Sequence, residues 1–227
     1  MNPANWLIKV CGMTDPQQIS ELARLPVDFM GIILVPESPR YAGKIAGLPE
    51  WLQSNRELLA GVKKTGVFVN APLETVLHAL QDYELQALQL HGDESVSYCR
   101  ELLYLCEASR LPKPMLIKAV AIASATDFPA PDDPMHEVVD YWLFDTKGAA
   151  RGGNGTTFDW ALLDTYQTGK PFLLSGGIGP EHVGALLQLH HPLLCGVDIN
   201  SRFESRPGLK NLDALHQFIH HLKAKTA

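Results

Sequence analysis

The sequence predicts an α/β fold of the (β/α)8 TIM-barrel type, on three observations. Eight short apolar runs recur along the chain, helical segments alternate with them, and the polar residues of chemical interest cluster just after the runs. The runs are Leu7 to Val10, Phe29 to Val35, Gly66 to Val69, Ala87 to Leu90, Met115 to Val120, Tyr141 to Phe144, Phe172 to Leu174 and Leu194 to Ile199. They are near-continuously hydrophobic, as strands buried on both faces of a parallel sheet must be.

Between them lie segments with helical spacing: Pro16 to Leu25, Pro72 to Leu80, Glu94 to Ala108, Pro180 to His190 and Leu209 to Leu222. Start signals mark several of these. Asp15 before Pro16 reads as an N-cap followed by proline at the first helical position, and Asn70 before Ala71-Pro72 and Gly179 before Pro180 repeat the theme. In the fifth unit, Phe128-Pro129-Ala130-Pro131-Asp132-Asp133-Pro134 breaks any regular helix, so that helix is expected to be short or absent. Periodicity alone does not separate a closed barrel from an open doubly wound sheet. The first strand is followed by Cys11-Gly12-Met13-Thr14-Asp15 and not by a GxGxxG turn, which favours the barrel.

The chain has 227 residues, 46% hydrophobic and 19% charged, enough apolar material for a large core, and residues 1–227 are read as a single barrel domain. A net charge of −6 without any Lys/Arg run argues against a nucleic-acid surface. No 18-residue apolar stretch and no leader-like N-terminus is present, so no membrane partner and a cytoplasmic location are expected. The four cysteines lack CxxC spacing and suggest neither a disulfide framework nor a metal site.

In a barrel the active site lies at the C-terminal ends of the strands. Cys11 ends the first strand, either as a small hydrophobe at the rim or as a base or nucleophile. Asp145 follows Tyr141-Trp142-Leu143-Phe144, as a helix cap or as a proton donor held at the mouth. Arg40 offers a planar fork for a carboxylate, or is simply a solvated loop residue, and His91 alone is equally ambiguous. Gly176-Gly177 after strand seven is either an ordinary glycine turn or, with Asn200-Ser201 after strand eight, part of a phosphate site built from backbone amides and helix starts, with Asn200 as an N-cap. His190-His191 and His220-His221 read as surface helical residues, Cys99 and Cys106 as core, and Trp51 and Trp160 as helix packing.

Taken together, these strand ends resemble the phosphoribosylanthranilate isomerase family. The matching stretches are Lys9 to Thr14, Ser38 to Tyr41, Gly66 to Asn70, Gln89 to Glu94, Phe144 to Lys147, Gly153 to Gly155 with Phe158 to Trp160, Ser175 to Ile178, and Gly196 to Asp198 followed by Pro207 to Lys210. The resemblance covers essentially the whole chain, with Asn200-Ser201-Arg202-Phe203-Glu204 standing in place of the commoner Ser-Ser-Gly-Val-Glu. It implies a cofactor-independent Amadori rearrangement in tryptophan biosynthesis, acting on a small phosphorylated aminoaldose. By the same resemblance Cys11 is the base and Asp145 the acid. Arg40, His91 and Asp198 bind substrate, and Gly176, Gly177, Asn200 and Ser201 bind phosphate. Other phosphosugar barrels, or a barrel that only binds a phosphorylated metabolite, are the alternatives. Oligomeric state is not legible in the sequence.

Overall fold

A computed structural model describes residues 6–146, 157–167 and 169–224. Eight parallel strands close into a barrel in sequential order. They are β1 (Leu7–Cys11), β2 (Phe29–Ile33), β3 (Lys63–Phe68), β4 (Ala87–Leu90), β5 (Met115–Ile122), β6 (Tyr141–Thr146), β7 (Phe172–Leu174) and β8 (Leu194–Ile199). Closure is made by β1 against β8, where Lys9 stands opposite Asp198. On the other side of β1, Cys11 stands opposite Gly31.

Among the described residues there are six α-helices: α1 (Pro16–Leu22), α2 (Leu48–Ser54), α3 (Leu73–Asp82), α4 (Val96–Ala108), α5 (Val183–Gln188) and α6 (Leu212–Ala224). Their apolar stripes pack on the outside of the barrel in the main core, which includes Ile8, Val10, Ile19, Leu88, Cys99, Leu102, Cys106, Leu215 and Phe218. The barrel interior is a smaller cluster of Ile117, Ala119, Leu143 and Leu173. Alternate residues of each strand therefore point to different cores, and the polar site residues occupy the mouth above the inner one.

The expected strand order and the broken fifth helix are observed: only short 3-10 turns, Ala125–Asp127 and Pro134–Glu137, join β5 to β6. Trp51 lies on a helix as read, α2, for which the sequence reading gives no bounds. Several details differ from the sequence reading. β3 starts at Lys63, ahead of the expected Gly66, because the buried Lys64 finds a carboxylate partner in Glu84 at 3.3 Å. The unit between β6 and β7 carries a 3-10 turn, Trp160–Thr165, and Trp160 packs there against His182 and not on a regular helix. Leu209–Lys210 belong to a small antiparallel hairpin, β10, paired with β9 (Glu204–Arg206), so the last helix begins only at Leu212.

Caps follow the same pattern of partial agreement. Asp15 accepts from the Gln18 amide and caps α1 as read. Asn70 does not cap α3: its side-chain oxygen accepts from the Asp93 amide, tying the β3 loop to the β4 loop at 2.7 Å. His190 and His191 lie beyond α5, and His191 is half-buried, with Nε2 2.8 Å from the Tyr166 carbonyl oxygen. No helix among the described residues is long and apolar enough to cross a membrane.

Candidate active site

Cys11 is the last residue of β1 and is 4% exposed. Its thiol is accommodated because Gly31 stands opposite: a Cβ there would lie 2.6 Å from the sulfur and 2.9 Å from the Cys11 Cα. Two residues deeper on the same strand, Lys9 is fully buried, with Nζ 2.9 Å from Asp198 Oδ1. A buried ion of either sign is tolerable only when paired, and this contact pairs both. The Lys9 ammonium also bears electrostatically on the Cys11 thiol. Burial works against the Lys9 charge, but Asp198 and Cys11 outweigh it and hold the ammonium above its ordinary pKa. Burial pushes the Asp198 carboxyl up, and Lys9 pulls it back towards the ionised form. Burial likewise pushes the Cys11 thiol above its usual range, opposed by the positive charges of Lys9 and Lys210.

Asp145 sits near the end of β6, partly exposed at the mouth. Its Oδ1 accepts from the Thr146 amide at 2.9 Å, and its Oδ2 lies 3.4 Å from His91 Nε2. Gly176, with φ of +85°, lets the β7 loop pass directly over Asp145: a Cβ there would overlap the Thr146 amide and stand 2.6 Å from Asp145 Oδ1. His91 and Asp145 are both within electrostatic reach of Asp198, which also bears on Cys11. Asp198 thus links the β1 side of the mouth to the β4–β6 side.

The loop carrying His91 is fixed from behind. Buried Glu94 accepts from the amides of Asn70 at 2.7 Å and Gly92 at 3.0 Å, and from Lys118 Nζ at 3.2 Å. Lys118 in turn donates to the Gly92 carbonyl at 2.6 Å.

Arg40 is not a solvated loop residue. Its Nε and Nη2 grip the Glu204 carboxylate at 2.6–3.0 Å. Glu204 also accepts from Lys210 Nζ at 2.8 Å and from the Gly208 amide at 3.1 Å. Burial alone would raise the Glu204 carboxyl, but Arg40 and Lys210 hold it below the ordinary carboxylate range. Among its guanidinium nitrogens, Nε and Nη2 of Arg40 are the ones on Glu204.

The two expected phosphate loops are adjacent. Gly176 and Gly177 both have positive φ, +85° and +67°. Ser201 opens a short 3-10 turn, Ser201–Phe203. Asn200 precedes it without capping it: its side-chain oxygen accepts from Lys210 Nζ at 2.7 Å. After β7 the chain forms a 3-10 turn, Pro180–His182, before the short α5, in place of a long helix from Pro180 to His190. Any helix-dipole contribution to anion binding is correspondingly small. Arg202 joins the two loops through an ion pair with Glu181.

The structure therefore brings Cys11, His91, Asp145 and Asp198 into one mouth, with Arg40 and Asn200 beside Gly12 at its β1 edge. The sequence alone assigns no role to Lys9, Gly31, Gln89, Glu204 or Lys210. The available signal was polarity out of place: Lys9 and Gln89 interrupt the strands Leu-Ile-Lys-Val-Cys and Ala-Leu-Gln-Leu. Lys147 and Gly153 to Gly155 lie outside the described residues. Among the described residues no group of three or more His, Cys, Asp or Glu is arranged to hold a metal ion.

Residues 8–221 match the family model for N-(5'-phosphoribosyl)anthranilate isomerase. The chain belongs to this isomerase family. A relative of that name from Parabacteroides distasonis is 41% identical over 94% of this chain and 91% of its own length. One from Phocaeicola vulgatus is 39% identical over 96% of this chain and 98% of its own. The crystal structure of phosphoribosyl anthranilate isomerase from Thermotoga maritima superposes with a TM-score of 0.74 at 32% identity, covering 96% of this chain and 99% of that one. A second crystal structure of such an isomerase, in complex with reduced 1-(o-carboxyphenylamino)-1-deoxyribulose 5-phosphate, gives 0.72 at 30% identity, covering 96% of this chain and 99% of that one. The family's closed parallel barrel is therefore also this chain's fold.

Proposed function

We propose that this isomerase converts N-(5'-phosphoribosyl)anthranilate into 1-(2-carboxyphenylamino)-1-deoxyribulose 5-phosphate in tryptophan biosynthesis, with Asp145 as general acid and Cys11 as general base. The observation that carries this reading is that the Cys11 thiol ends β1 and the Asp145 carboxylate lies near the end of β6, at the same end of one closed parallel barrel. Membership of the isomerase family supports the reaction itself.

In the first step Asp145 gives its proton to the furanose ring oxygen. The C1–O bond breaks, and the anilino nitrogen's lone pair forms a C=N bond, leaving an iminium ion. That cation acidifies the neighbouring C2–H. Cys11 as thiolate takes the C2 proton, and the C–H electron pair neutralises the iminium, giving an enol-amine. Return of a proton to C1 and loss of one from the enol oxygen yield the ketone and restore both groups. No electrons are exchanged with an outside partner, so the residues of the mouth suffice.

Lys9 and Lys210 supply the positive field in which a buried thiolate is tolerable. Arg40 holds the anthranilate carboxylate, with His91 and Asp198 lining the space between acid and base. The amides of Gly176, Gly177 and Ser201 take the phosphate, and Asn200 orders that loop through Lys210. The test is turnover of freshly generated phosphoribosylanthranilate, followed by loss of its fluorescence, beside the aminoaldose isomerised in histidine biosynthesis. Turnover of only the second compound would refute the assignment.

A further inference from the structure

Gln89 and His91 lie two residues apart on β4 and its end, so both face the mouth. Gln89 is 1% exposed, and its side-chain Nε2 lies 2.7 Å from His91 Nδ1. Its Oε1 is buried without a hydrogen-bond partner. The amide has therefore committed its one contact to the histidine, leaving a buried acceptor unused, a cost that native sites retain where the arrangement serves a purpose. An amide nitrogen can only donate, so Nδ1 accepts and the ring proton resides on Nε2. Nε2 is the atom 3.4 Å from Asp145 Oδ2.

We propose that Gln89 is a positioning residue for the acid, holding His91 in the Nε2–H tautomer so that the imidazole donates to Asp145 and never accepts from it. The inference rests on Asp145 being the general acid. In the opposite tautomer, the Nε2 lone pair would face Asp145 and draw the carboxylic proton away from the substrate's ring oxygen. In the tautomer held by Gln89, that proton has no acceptor on His91 and remains available to the sugar. Once it has been transferred, the Thr146 amide donates to the new carboxylate and Nε2–H lies beside it, 3.4 Å from Oδ2. The same imidazole thus favours the charge that develops during ring opening without competing for the proton that starts it. Asp198 also bears electrostatically on both His91 and Asp145. It is an acceptor, so it does not substitute for the N–H donor that Gln89 provides.

The test uses protein with 15N-labelled histidine at pH 8, where long-range proton–nitrogen correlations distinguish the two tautomers, together with Gln89→Glu, Gln89→Met and Asp145→Asn. In the wild type the His91 proton should sit on Nε2. Gln89→Glu presents an acceptor to Nδ1 and should move the proton there, with kcat falling by about tenfold or more and KM changed less than about twofold. Gln89→Met, which keeps the bulk without a donor, should show a mixture of tautomers and an intermediate kcat, and it serves alone if the glutamate variant does not fold. A wild-type proton on Nδ1, or either folded variant turning over at the wild-type rate, would overturn the proposal. Asp145→Asn with near-normal turnover would instead remove the acid role, and the ring-nitrogen signals separate the two failures because they are read without turnover.

Discussion

The Arg40 guanidinium and the Glu204 carboxylate, 164 positions apart in sequence, form a forked ion pair with Nη2 2.6 Å from Oε2. It fastens the β2 loop to the segment after β8, so the residue proposed for the substrate's carboxylate is held by the loop proposed for its phosphate. Arg40→Ala should weaken binding of substrates carrying the anthranilate carboxylate by about tenfold or more, with little change for an analogue lacking that group. Glu204→Gln should produce a smaller loss of the same kind, because it loosens the fork without removing it. Equal weakening for both analogues would mark Arg40 as purely structural.

For the base, Cys11→Ser should reduce kcat by at least about a hundredfold while leaving product-analogue affinity nearly unchanged, since a hydroxyl in the same place is far harder to ionise. The free enzyme's kcat/KM should rise with pH through an ascending limb above the ordinary thiol value of 9.0, because burial raises the Cys11 thiol. Near-normal turnover by the serine variant would exclude Cys11 from the mechanism.

Gly31→Ala tests the space in which that thiol sits. The added methyl would lie 2.6 Å from the Cys11 sulfur and 2.9 Å from its Cα, so the β1–β2 pair must shift. We expect a loss of about 1–3 kcal/mol in stability and a disproportionate fall in kcat, measured by urea unfolding and by assay. Unchanged kcat in a folded variant would show that the position of Cys11 is not critical.

The phosphate site is tested by soaking a crystal in sulfate or phosphate. The anion should lie between Gly176-Gly177 and Ser201. Because backbone amides supply most of the binding, Ser201→Ala should cost only about 1 kcal/mol, and a bulkier residue at Gly177, where φ is +67°, should cost more. An anion bound elsewhere with this loop pair empty would refute the assignment.

Alkaline pH should destabilise the fold through groups remote from the reaction. Burial pushes Cys99 up to about 11, and Cys195, Tyr98 and Tyr166 each up to about 12. These groups keep their protons in the folded chain after the unfolded chain has released them. Stability is therefore full below the ordinary thiol value and is lost as pH climbs towards 11–12, by up to about 1.4 kcal/mol per pH unit for each group. Urea midpoints at about pH 8.5 and 10.5 should show the loss, with a smaller one in Cys195→Ala. An identical drop in that variant would remove Cys195 from the account.

What was legible in the sequence was what local pattern encodes. A strand buried on both faces must be apolar throughout, which is why runs such as Phe172–Leu174 and Ala87–Leu90 announced themselves with the correct bounds. Cys11 and Asp145 stood out because reactive groups terminate such runs. The caps assigned to Asn70 and Asn200 failed because each side-chain oxygen has a distant partner, Asp93 and Lys210, that outcompetes the local amide.

The sequence by itself determined the order of the eight strands, the break in the fifth unit and the reactive residues that end the strands, since periodicity and breaker residues act over a few positions. Only the tertiary structure decided how those residues are charged and held. Lys9 meets Asp198 because β8 closes against β1, Arg40 meets Glu204 because that closure brings the last loop beside the second, and Asp145 meets His91 across β5. Contacts of this kind join positions tens to nearly two hundred residues apart, and their strength depends on burial, which no local pattern specifies.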